Sequence, residues 1–291
     1  MITCAGTVGK CVVYDGEDAY FQDSNIVWID NPTQYISNGF LFHLLSKVDW
    51  RKLNSTTIIR IYNDDLRNLK MSYPRKEEQQ KISHLLSLLD ERIATQNKII
   101  EDLKLLKSAI SLNVLHSDTW EQFKIKDIAQ IGRGRVISSI EISQQKNPTY
   151  PVYSSQTSND GIMGYLDDYM FEGEYISWTT DGANAGTVFY RNGKFNCTNV
   201  CGLLKLIKGF DTHFVSLVLA EATKKYVSIN LANPKLMNNT MGNIQICLPK
   251  LEEQKRISIV FRVLQRLWTV HNSLLTEYIK QKQYLLSQMF I

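Results

Sequence analysis

The chain has 291 residues, of which 44% are hydrophobic and 21% are charged, and its formal net charge is +4. This composition is typical of a globular protein of about two domains and excludes a disordered or fibrous chain. The mild positive charge neither demands nor excludes a polyanionic partner. No apolar run is long enough to span a bilayer, and residues 1–6 lack the features of a signal peptide. We therefore expect a cytoplasmic protein without a membrane partner, whose five cysteines are free thiols.

Residues 1–73 are predicted to form the second half of a domain that occurs in full later in the chain. Three segments carry this match: Ala5–Val8 with Ala185–Val188, Phe40–Phe42 with the region of Phe214–Leu219, and Asp65–Leu69 with Thr240–Ile244. If the complete domain begins at Trp120, the shift between Ala5 and Ala185 places the start of the first copy about 60 residues before Met1. The first domain is therefore predicted to be incomplete.

A long helix is predicted over residues 74–117. Pro74 suits the first position of a helix, and Glu77 and Glu78 suit the positive end of its dipole. Side chains at alternating steps of four and three residues follow, with Gln96 and Lys107 as polar interruptions. The predicted seam of this helix consists of Ile82, Leu86, Leu89, Ile93, Gln96, Ile100, Leu103, Ile110 and Val114.

Residues 118–248 are predicted to form the complete domain, with mixed α/β structure. Turn signals separate short apolar runs, and they include Asn159-Asp160-Gly161, Asp181-Gly182 and Asn192-Gly193. One helix is predicted over residues 214–226. Cys197 and Cys201 have no second cysteine pair or nearby histidine, so two buried thiols are favoured over a zinc site.

Residues 249–291 repeat the first long helix. The opening Pro74-Arg75-Lys76-Glu77-Glu78-Gln79 recurs as Pro249-Lys250-Leu251-Glu252-Glu253-Gln254, and the polar interruptions recur at His271 and Lys282. Spacing of this kind over more than four heptads favours a coiled coil, and its duplication favours a coiled coil over two amphipathic core helices. The second predicted seam consists of Ile257, Phe261, Leu264, Trp268, His271, Leu275, Tyr278, Leu285 and Met289.

The predicted fold class is α+β, with mixed α/β domains of short strands joined by two long helices in an antiparallel coiled coil. The antiparallel sense is favoured because the two halves suggest a pseudo-two-fold axis. In that arrangement Gln96 and His271 would lie close together and form a hydrogen-bonded polar layer.

Several motifs along the chain match one known family. Besides the two helix openings, they are Tyr150-Pro151-Val152-Tyr153, the run from Asn159 to Tyr165, Gly182 with Ala185–Val188, and Leu248-Pro249. On these residues the chain resembles the specificity (S) subunit of type I restriction-modification systems. It departs from the family pattern at the N-terminus, where the first target recognition domain lacks its front half.

The resemblance implies a non-catalytic subunit that binds double-stranded DNA. Two target recognition domains would recognise the halves of a bipartite site. The paired helices would fix the distance between them and dock methyltransferase (M) subunits, with restriction (R) subunits in the full complex. S-adenosylmethionine, ATP and Mg would then bind to the partner subunits, and this chain would carry no cofactor. Half-length members of the family are implied to dimerise, so a homodimer is a further expectation.

Candidate DNA contacts are the basic and amide side chains in turns of the second domain. Arginine and lysine contact phosphates and guanine, and asparagine and glutamine can contact adenine. Gly132-Arg133-Gly134-Arg135 ranks first, because glycines let a backbone approach phosphate closely. A solvated basic loop and ordinary turn asparagines are the alternative interpretations. The candidates are Arg133, Arg135, Ser154, Ser155, Gln156, Asn159, Asn184, Arg191, Lys194, Asn196, Asn199, Lys235, Asn238 and Asn239.

Catalytic motifs are missing from the sequence. It contains no Asn-Pro-Pro-aromatic motif, no dinucleotide-binding or phosphate-binding glycine loop, and no nuclease-type carboxylate cluster. The histidines are scattered without metal-ligand spacing, so no metal site is predicted. Two other interpretations remain open: a coiled-coil scaffold that does not bind DNA, and a truncated or recombination-cassette fragment without independent recognition.

Overall fold

The computed structural model describes residues 1–291 except 15, 17, 19–22, 34, 53–59, 116–118, 229–232 and 290–291, and the side chains of 51, 112 and 113. The predicted boundary between helix and domain at residues 117 and 118 lies outside the described residues. The chain divides into two compact units, one made of residues 1–103 with 267–291 and the other of residues 104–266.

The first unit combines a small sheet with helices. Its elements are β1 (Ile2–Thr3), β2 (Ile26–Val27), α1 (Asn38–Lys47), a 3-10 turn (Trp50–Lys52), α2 (Asn63–Arg67) and most of α3 (Lys76–Val114). The two strands pair antiparallel. Helix α1 begins where the Ser37 side chain accepts a hydrogen bond from the Phe40 amide, which satisfies one free donor of the first turn. A small core forms around the buried Ile2, Leu45 and Trp50.

The second unit contains the complete sheet. Its strands are β3 (Glu121–Lys124), β4 (Ala129–Arg133), β5 (Tyr150–Tyr153), β6 (Ile162–Leu166), β7 (Phe171–Thr179), β8 (Val188–Cys197), β9 (Cys201–Leu206) and β10 (Gln245–Leu248). Six of them form one sheet in the order β4-β9-β7-β8-β5-β6, while β3 pairs with β10. A bridge between Arg135 and Thr198 joins the chain after β4 to the chain after β8, so the sheet curls.

Further helices accompany these strands, and 3-10 turns cover Ser158–Gly161 and Thr223–Lys225. The helices are α4 (Ile125–Ile128), α5 (Ser139–Ser143), α6 (Thr212–Ala222), α7 (Asn238–Asn243) and α8 (Leu251–Met289), the last of which continues into the first unit. Helix α6 matches the helix predicted over residues 214–226. Its buried Phe214, Val215 and Leu219 pack with the fully buried Trp178 of β7 in the main hydrophobic core.

The predicted turn at Asn192-Gly193 is wrong, because both residues lie inside β8. Gly193 pairs with Gly173 of β7, and both glycines adopt positive φ angles, of 103° and 105°. Such backbone angles are readily accessible to glycine and allow a strand to bend without ending. The turn signal therefore marks a bend within a strand pair.

The two long helices have 39 residues each. Pro74 and Pro249 were predicted to occupy the first helical position, and this prediction is wrong. They lie two residues before the first residues of α3 and α8. The carbonyls of both prolines are hydrogen-bond acceptors at the start of the helices. Each accepts a hydrogen bond from a buried glutamine of the first helical turns, Gln79 in α3 at 2.9 Å and Gln254 in α8 at 2.8 Å.

These glutamines attach each long helix to the neighbouring domain helix. In the first unit, Gln79 Oε1 accepts a hydrogen bond from the amide of Ser37 at 2.8 Å, where α1 begins. In the second unit, Gln254 Oε1 accepts one from the amide of Asp211 at 2.9 Å, where α6 begins. Both glutamines are 1% exposed. The same contact is therefore made once in each unit.

Contacts within the first unit fix the sense of the helix pair. His271 Nδ1 lies 2.7 Å from Gln96 Oε1, which confirms the predicted polar contact. Lys282 forms an ion pair with Asp90, and Leu86 packs with residues near the end of α8. Residues later in α3 thus contact residues earlier in α8, which makes the pair antiparallel. In the second unit, Ile110 and Ile257 of the two helices pack against one core. The predicted α+β class with an antiparallel helix pair is confirmed.

The predicted seam residues all lie on the covered sides of their helices. On α3, Leu86, Leu89 and Ile100 are buried, and on α8 Phe261 and Leu264 are buried. The remaining seam positions are partly buried. These partly buried residues are Ile82, Ile93, Gln96, Leu103, Ile110, Val114, Ile257, Trp268, His271, Leu275, Tyr278, Leu285 and Met289.

Candidate nucleic-acid interface

Three of the predicted DNA contacts meet where β4 ends, β9 begins and α7 begins. We call Arg133, Asn199 and Asn238 the Arg133 cluster. Arg133 Nε donates a hydrogen bond to Asn238 Oδ1 at 2.9 Å, and its Nη1 lies 3.5 Å from the carbonyl of Asn199. Within the described part of the chain, no carboxylate forms an ion pair with Arg133. The cluster therefore combines an arginine that has no acidic partner among the described residues with the side-chain amide of Asn238 and the backbone carbonyl of Asn199.

Gly134, next to Arg133, is required for packing inside the domain. A Cβ at this position would lie 1.6 Å from the carbonyl oxygen of Cys197, so only glycine fits. The amide of Arg135 donates to the same carbonyl at 3.1 Å. The glycine was predicted to let the backbone approach phosphate, and the close approach is instead to β8. Gly132 has open space at its Cβ position.

Arg135 is neutralised by an acidic neighbour. Its guanidinium forms a two-pronged ion pair with Glu141 of α5, with Nη1 at 2.9 Å from Oε2 and Nη2 bonded to Oε1. This bond and the positive charge hold the pKa of Glu141 below its ordinary value. Arg135 therefore offers less free charge than Arg133. Glu141 was not among the predicted site residues, because a spacing of six residues from Arg135 predicts no contact until the fold after β4 is known.

The loop between β5 and β6 is held in shape by hydrogen bonds of its own main chain and of the Gln156 side chain. The amide of Ser154 donates to the Gly161 carbonyl at 2.9 Å, and Gln156 donates through its side chain to the Ile162 carbonyl. Asn159 is exposed and has a positive φ of 49°. The amide of Thr198 donates to Tyr153 at 2.9 Å, so this loop, including Ser155, adjoins the turn that carries Asn199.

Three further candidates are Asn184, Lys235 and Asn239, of which Asn184 and Asn239 are exposed and Lys235 is partly buried. Asn184 is exposed and lies in a turn. Its carbonyl accepts a hydrogen bond from the Thr187 hydroxyl, which closes the turn. Lys235 forms bridges with Asp181 and Ser228 through its backbone. Asn239, in the first turn of α7, is exposed beside Asn238.

Lys194 belongs to the β7–β8 hairpin and lies apart from the Arg133 cluster along β8. Its Nζ is 3.9 Å from Glu172 and 4.4 Å from the centre of the Tyr169 ring.

Two predicted contacts, Arg191 and Asn196, are corrected by the structure because both are buried. Arg191 is 5% exposed, donates to Ser177 Oγ at 2.9 Å, and lies 3.6 Å from the centre of the Tyr153 ring. Burial lowers the pKa of its guanidinium. Asn196 is fully buried and donates to the Asp168 carbonyl at 2.7 Å. Neither side chain reaches the surface where DNA could bind, because β8 turns both of them inward.

A polar network joins the sheet to α8 inside the second unit. Arg262 of α8 lies 3.6 Å from Glu174 of β7, and Tyr190 of β8 donates to the same carboxylate. Burial and this bond raise the pKa of Tyr190 to about 12. His213 Nδ1 lies 2.9 Å from Ser258 Oγ, and burial, with the charge of Arg262, lowers the pKa of His213 to about 4. This network orients the sheet on its helix.

Cys197 and Cys201 are buried thiols, and Cys197 Sγ lies 3.6 Å from the Cys201 carbonyl. In the described ranges, no three histidine, cysteine, aspartate or glutamate side chains are placed to hold a metal ion. A helix with the length and apolarity to cross a membrane is likewise not found among the residues described.

Comparison with known proteins places the chain in a family. The model of the type I restriction modification DNA specificity domain matches residues 1–105 and 117–280. The chain is 36% identical over 222 residues to S.MpnORF365P of Mycoplasma pneumoniae, which is classed as a type I specificity subunit, and the match covers 74% of this chain and 82% of that one. It is 43% identical over 150 residues to the MpnII specificity subunit of the same organism, over 51% of this chain and 44% of the relative.

A solved structure has the same fold. The crystal structure of a type I restriction-modification S subunit from M. genitalium superposes with a TM-score of 0.69 at 18% identity, over 88% of this chain and 73% of that one. The relatives are specificity subunits by name, which confirms the prediction of a non-catalytic chain. The duplicated helix openings, the antiparallel helix pair and these matches lead to one conclusion: the chain belongs to the type I restriction-modification DNA specificity family.

Proposed function

We propose that this chain is the DNA-binding specificity subunit of a type I restriction-modification complex in the cytoplasm, and that its second unit recognises one half of a bipartite target. The observation that carries the proposal is the Arg133 cluster, within a chain of the specificity family. Arginine can bind guanine through two hydrogen bonds, and asparagine can bind adenine in the same way. The cluster thus has the chemistry that base recognition needs.

The other candidates of the second unit, which are exposed or partly exposed, would hold the DNA backbone and the register. We include Arg135, Ser154, Ser155, Gln156, Asn159, Asn184, Lys194, Lys235 and Asn239 as candidates for these contacts. Contacts to phosphate position a protein on the duplex without carrying sequence information. Substitution of these residues is therefore expected to weaken binding to all sequences equally.

Substitution of Arg133 tests the proposed base contact. The protein, with a methyltransferase subunit, would be used to select targets from a random duplex library, and the selected duplex would then be titrated. Arg133→Ala should weaken binding to it by about tenfold to a hundredfold and relax the preference at one base pair. Lys208→Ala is the matched control, because Lys208 is an exposed cation beyond the other end of β9 and should change affinity little. Equal, weak binding of the unaltered protein to all duplexes would instead favour the coiled-coil scaffold.

A second apolar stripe on α8 supports docking of methyltransferase subunits on the paired helices. Besides its seam, α8 carries Val260, Val263, Leu267, Val270 and Leu274, which are between 38% and 53% exposed. Their steps of three and four residues place them on one face, as in a coiled-coil seam. An exposed apolar face of this kind is typical of a protein interface.

Two acidic substitutions test this docking surface. Val263→Glu with Val270→Glu should reduce the affinity for a methyltransferase subunit at least tenfold, while the helix content by circular dichroism stays unchanged. Leu105→Glu on α3, where the side chain is 66% exposed, is the control. Light scattering of the protein with and without the methyltransferase would also show a homodimer, if one forms. In this proposal, restriction subunits join the complex, and S-adenosylmethionine, ATP and Mg bind to the partners.

The helix pair is proposed to set the spacer between the two half-sites. Each helix of 39 residues is about 58 Å long. Insertion of one heptad into α3 beside Gln96 and one into α8 beside His271 would lengthen the pair by about 10 Å, or roughly three base pairs. Methylome sequencing should then show a longer spacer with unchanged half-sites. An unchanged spacer would contradict the proposal.

A further inference from the structure

A short segment after β4 exposes two apolar side chains beside the Arg133 cluster. Val136 is 72% exposed and Ile140 is 65% exposed. Among the described residues of the second unit outside the long helices, no large apolar side chain is more exposed than these two. Single exposed apolar side chains are common on protein surfaces, and the distinguishing feature of this pair is how firmly it is held. We call residues 135–141 the Val136 tip.

The apolar side chains on the inner side of the Val136 tip are packed against the sheet. Ile137 is 7% exposed and packs with Val152 of β5 and Leu166 of β6. Ile142, just after the tip, packs against the same group. A Cβ on Gly164 of β6 would lie 2.5 Å from the Ile142 side chain, so the two elements are in close contact. The positions that face the sheet are therefore filled, and the exposed pair remains outside.

Polar contacts hold the two ends of the Val136 tip together. The guanidinium of Arg135, at one end, forms its two-pronged ion pair with Glu141 at the other. The Ser138 side chain accepts a hydrogen bond from the Glu141 amide at 3.1 Å, where α5 begins. The Gln145 side chain donates to the Glu141 carbonyl at 2.9 Å. A two-pronged bond between charged groups restricts geometry more than a single hydrogen bond. The tip is thus pre-organised, which lowers the entropy cost of binding through it.

The Val136 tip leaves the sheet at the Arg133 cluster. Arg135, its first residue, forms a bridge with Thr198, which directly precedes Asn199 of the cluster. The exposed apolar pair therefore adjoins the side chain that is proposed to bind guanine. A stable protein interface buries about 800 Å² on each partner, far more than two side chains supply. The pair matches instead the size of the methyl group that thymine presents in the major groove.

We propose that Val136 and Ile140 recognise the 5-methyl group of a thymine in the half-site that the second unit binds. Apolar side chains contact this methyl group in the major groove, where cytosine has none. Removal of the methyl group and the side chains from water supplies the discrimination. Arg135 and Glu141 are positioning residues for this contact. The inference rests on the proposed function, because it assigns further base contacts to the same interface.

Replacement of thymine by deoxyuridine tests the inference, because it removes only the methyl group. The duplex selected by the protein with a methyltransferase subunit would be remade with deoxyuridine at each thymine in turn. At one position or more, the unaltered protein should lose about fourfold in affinity, the value for burial of one methyl group. In the double variant Val136→Ser with Ile140→Ser, this loss should disappear. Circular dichroism would check that the double variant is folded.

Two further variants control the experiment. Ile207→Ser should leave the deoxyuridine effect unchanged, because Ile207 is 49% exposed but lies beyond the other end of β9. Glu141→Ala removes the ion pair that holds the tip, so the deoxyuridine effect should shrink. The same variant frees the charge of Arg135, so its affinity for unrelated duplexes should rise. A purely structural role of Glu141 would not produce these opposite changes.

Three outcomes would overturn the inference. They are the absence of any thymine at which deoxyuridine lowers affinity, a deoxyuridine effect that persists in the double variant, and a double variant that no longer binds the methyltransferase subunit. The last outcome would make the apolar pair a protein contact. Equal binding of the unaltered protein to all duplexes would overturn the proposed function as well. Sequence-specific binding that is insensitive to deoxyuridine would overturn this inference alone.

Discussion

The two units attach to their long helices in the same way but build different cores. In each, a buried glutamine of the long helix binds the start of a domain helix, and a buried phenylalanine follows three residues after that start, Phe40 in one and Phe214 in the other. In the second unit, Phe214 belongs to a core backed by the sheet. In the first, Phe40 packs in a small group with Leu86. The attachment to the helix is therefore independent of a complete sheet.

Truncation of the two phenylalanines should show the largest difference between the units. Phe214→Ala is expected to cost about 3–5 kcal/mol, because the cavity lies in a core of many packed side chains that cannot collapse. Phe40→Ala should cost less, because the small group around it can relax. Urea unfolding with separate probes for the two units would measure both costs. Equal costs would show that the cores resist a cavity equally.

The glutamine contacts should be of similar strength in the two units. Gln79→Ala and Gln254→Ala each remove buried hydrogen bonds and leave at least one carbonyl and one amide without partners, which should cost roughly 2–3 kcal/mol. Gln80→Ala, at an exposed neighbour, should change the free energy of unfolding by less than about 0.5 kcal/mol. A large cost in only one unit would break the equivalence.

Acid should destabilise the second unit through His213. Its pKa is about 4 in the folded chain against 6.5 for the free side chain, so the unfolded chain takes up the proton first. The stability that His213 contributes is thus complete above pH 6.5 and is lost as the pH falls towards 4, by roughly 2–3 kcal/mol. His213→Gln should flatten this pH dependence in urea unfolding.

The control for that experiment comes from the first unit. The residue of the first unit that corresponds to His213 is Gly39, which does not titrate. We therefore attribute the loss of stability of the first unit in acid to His43, whose pKa is lowered by burial. His213→Gln should therefore leave the acid response of the first unit unchanged. A change in both units would contradict the assignment.

The polar layer of the helix pair should have the smallest effect on stability. Replacing Gln96 and His271 together with leucine should stabilise the first unit by about 1 kcal/mol, because two partly buried polar groups become apolar. The same change should reduce the specificity of the register. Thermal unfolding measures the gain, and cysteine crosslinking along the seam measures the register. A loss of stability would show that the hydrogen bond outweighs apolar packing at this layer.

Much of the helix pair was predictable from the sequence, and much less of the candidate interface was. Arg133, Asn199 and Asn238 were identified as candidates, but not that the Arg133 side chain contacts the other two residues. Arg191 and Asn196 were misassigned, because the chain between them has a turn signal and their strand was not recognised. The ion pair between Arg135 and Glu141 depends on how the chain folds after β4, which local patterns do not specify.

The repeated helix openings and the seam can be read from the sequence alone, which also favoured the antiparallel pairing and the Gln96–His271 contact. Helix periodicity is local, so residues three and four positions apart share a face whatever the rest of the chain does. Only the folded structure shows which polar side chains are buried and which arginine has no acidic partner among the described residues. Those features depend on strand pairing and packing between residues far apart in the chain, and burial there decides whether a polar side chain can reach a ligand.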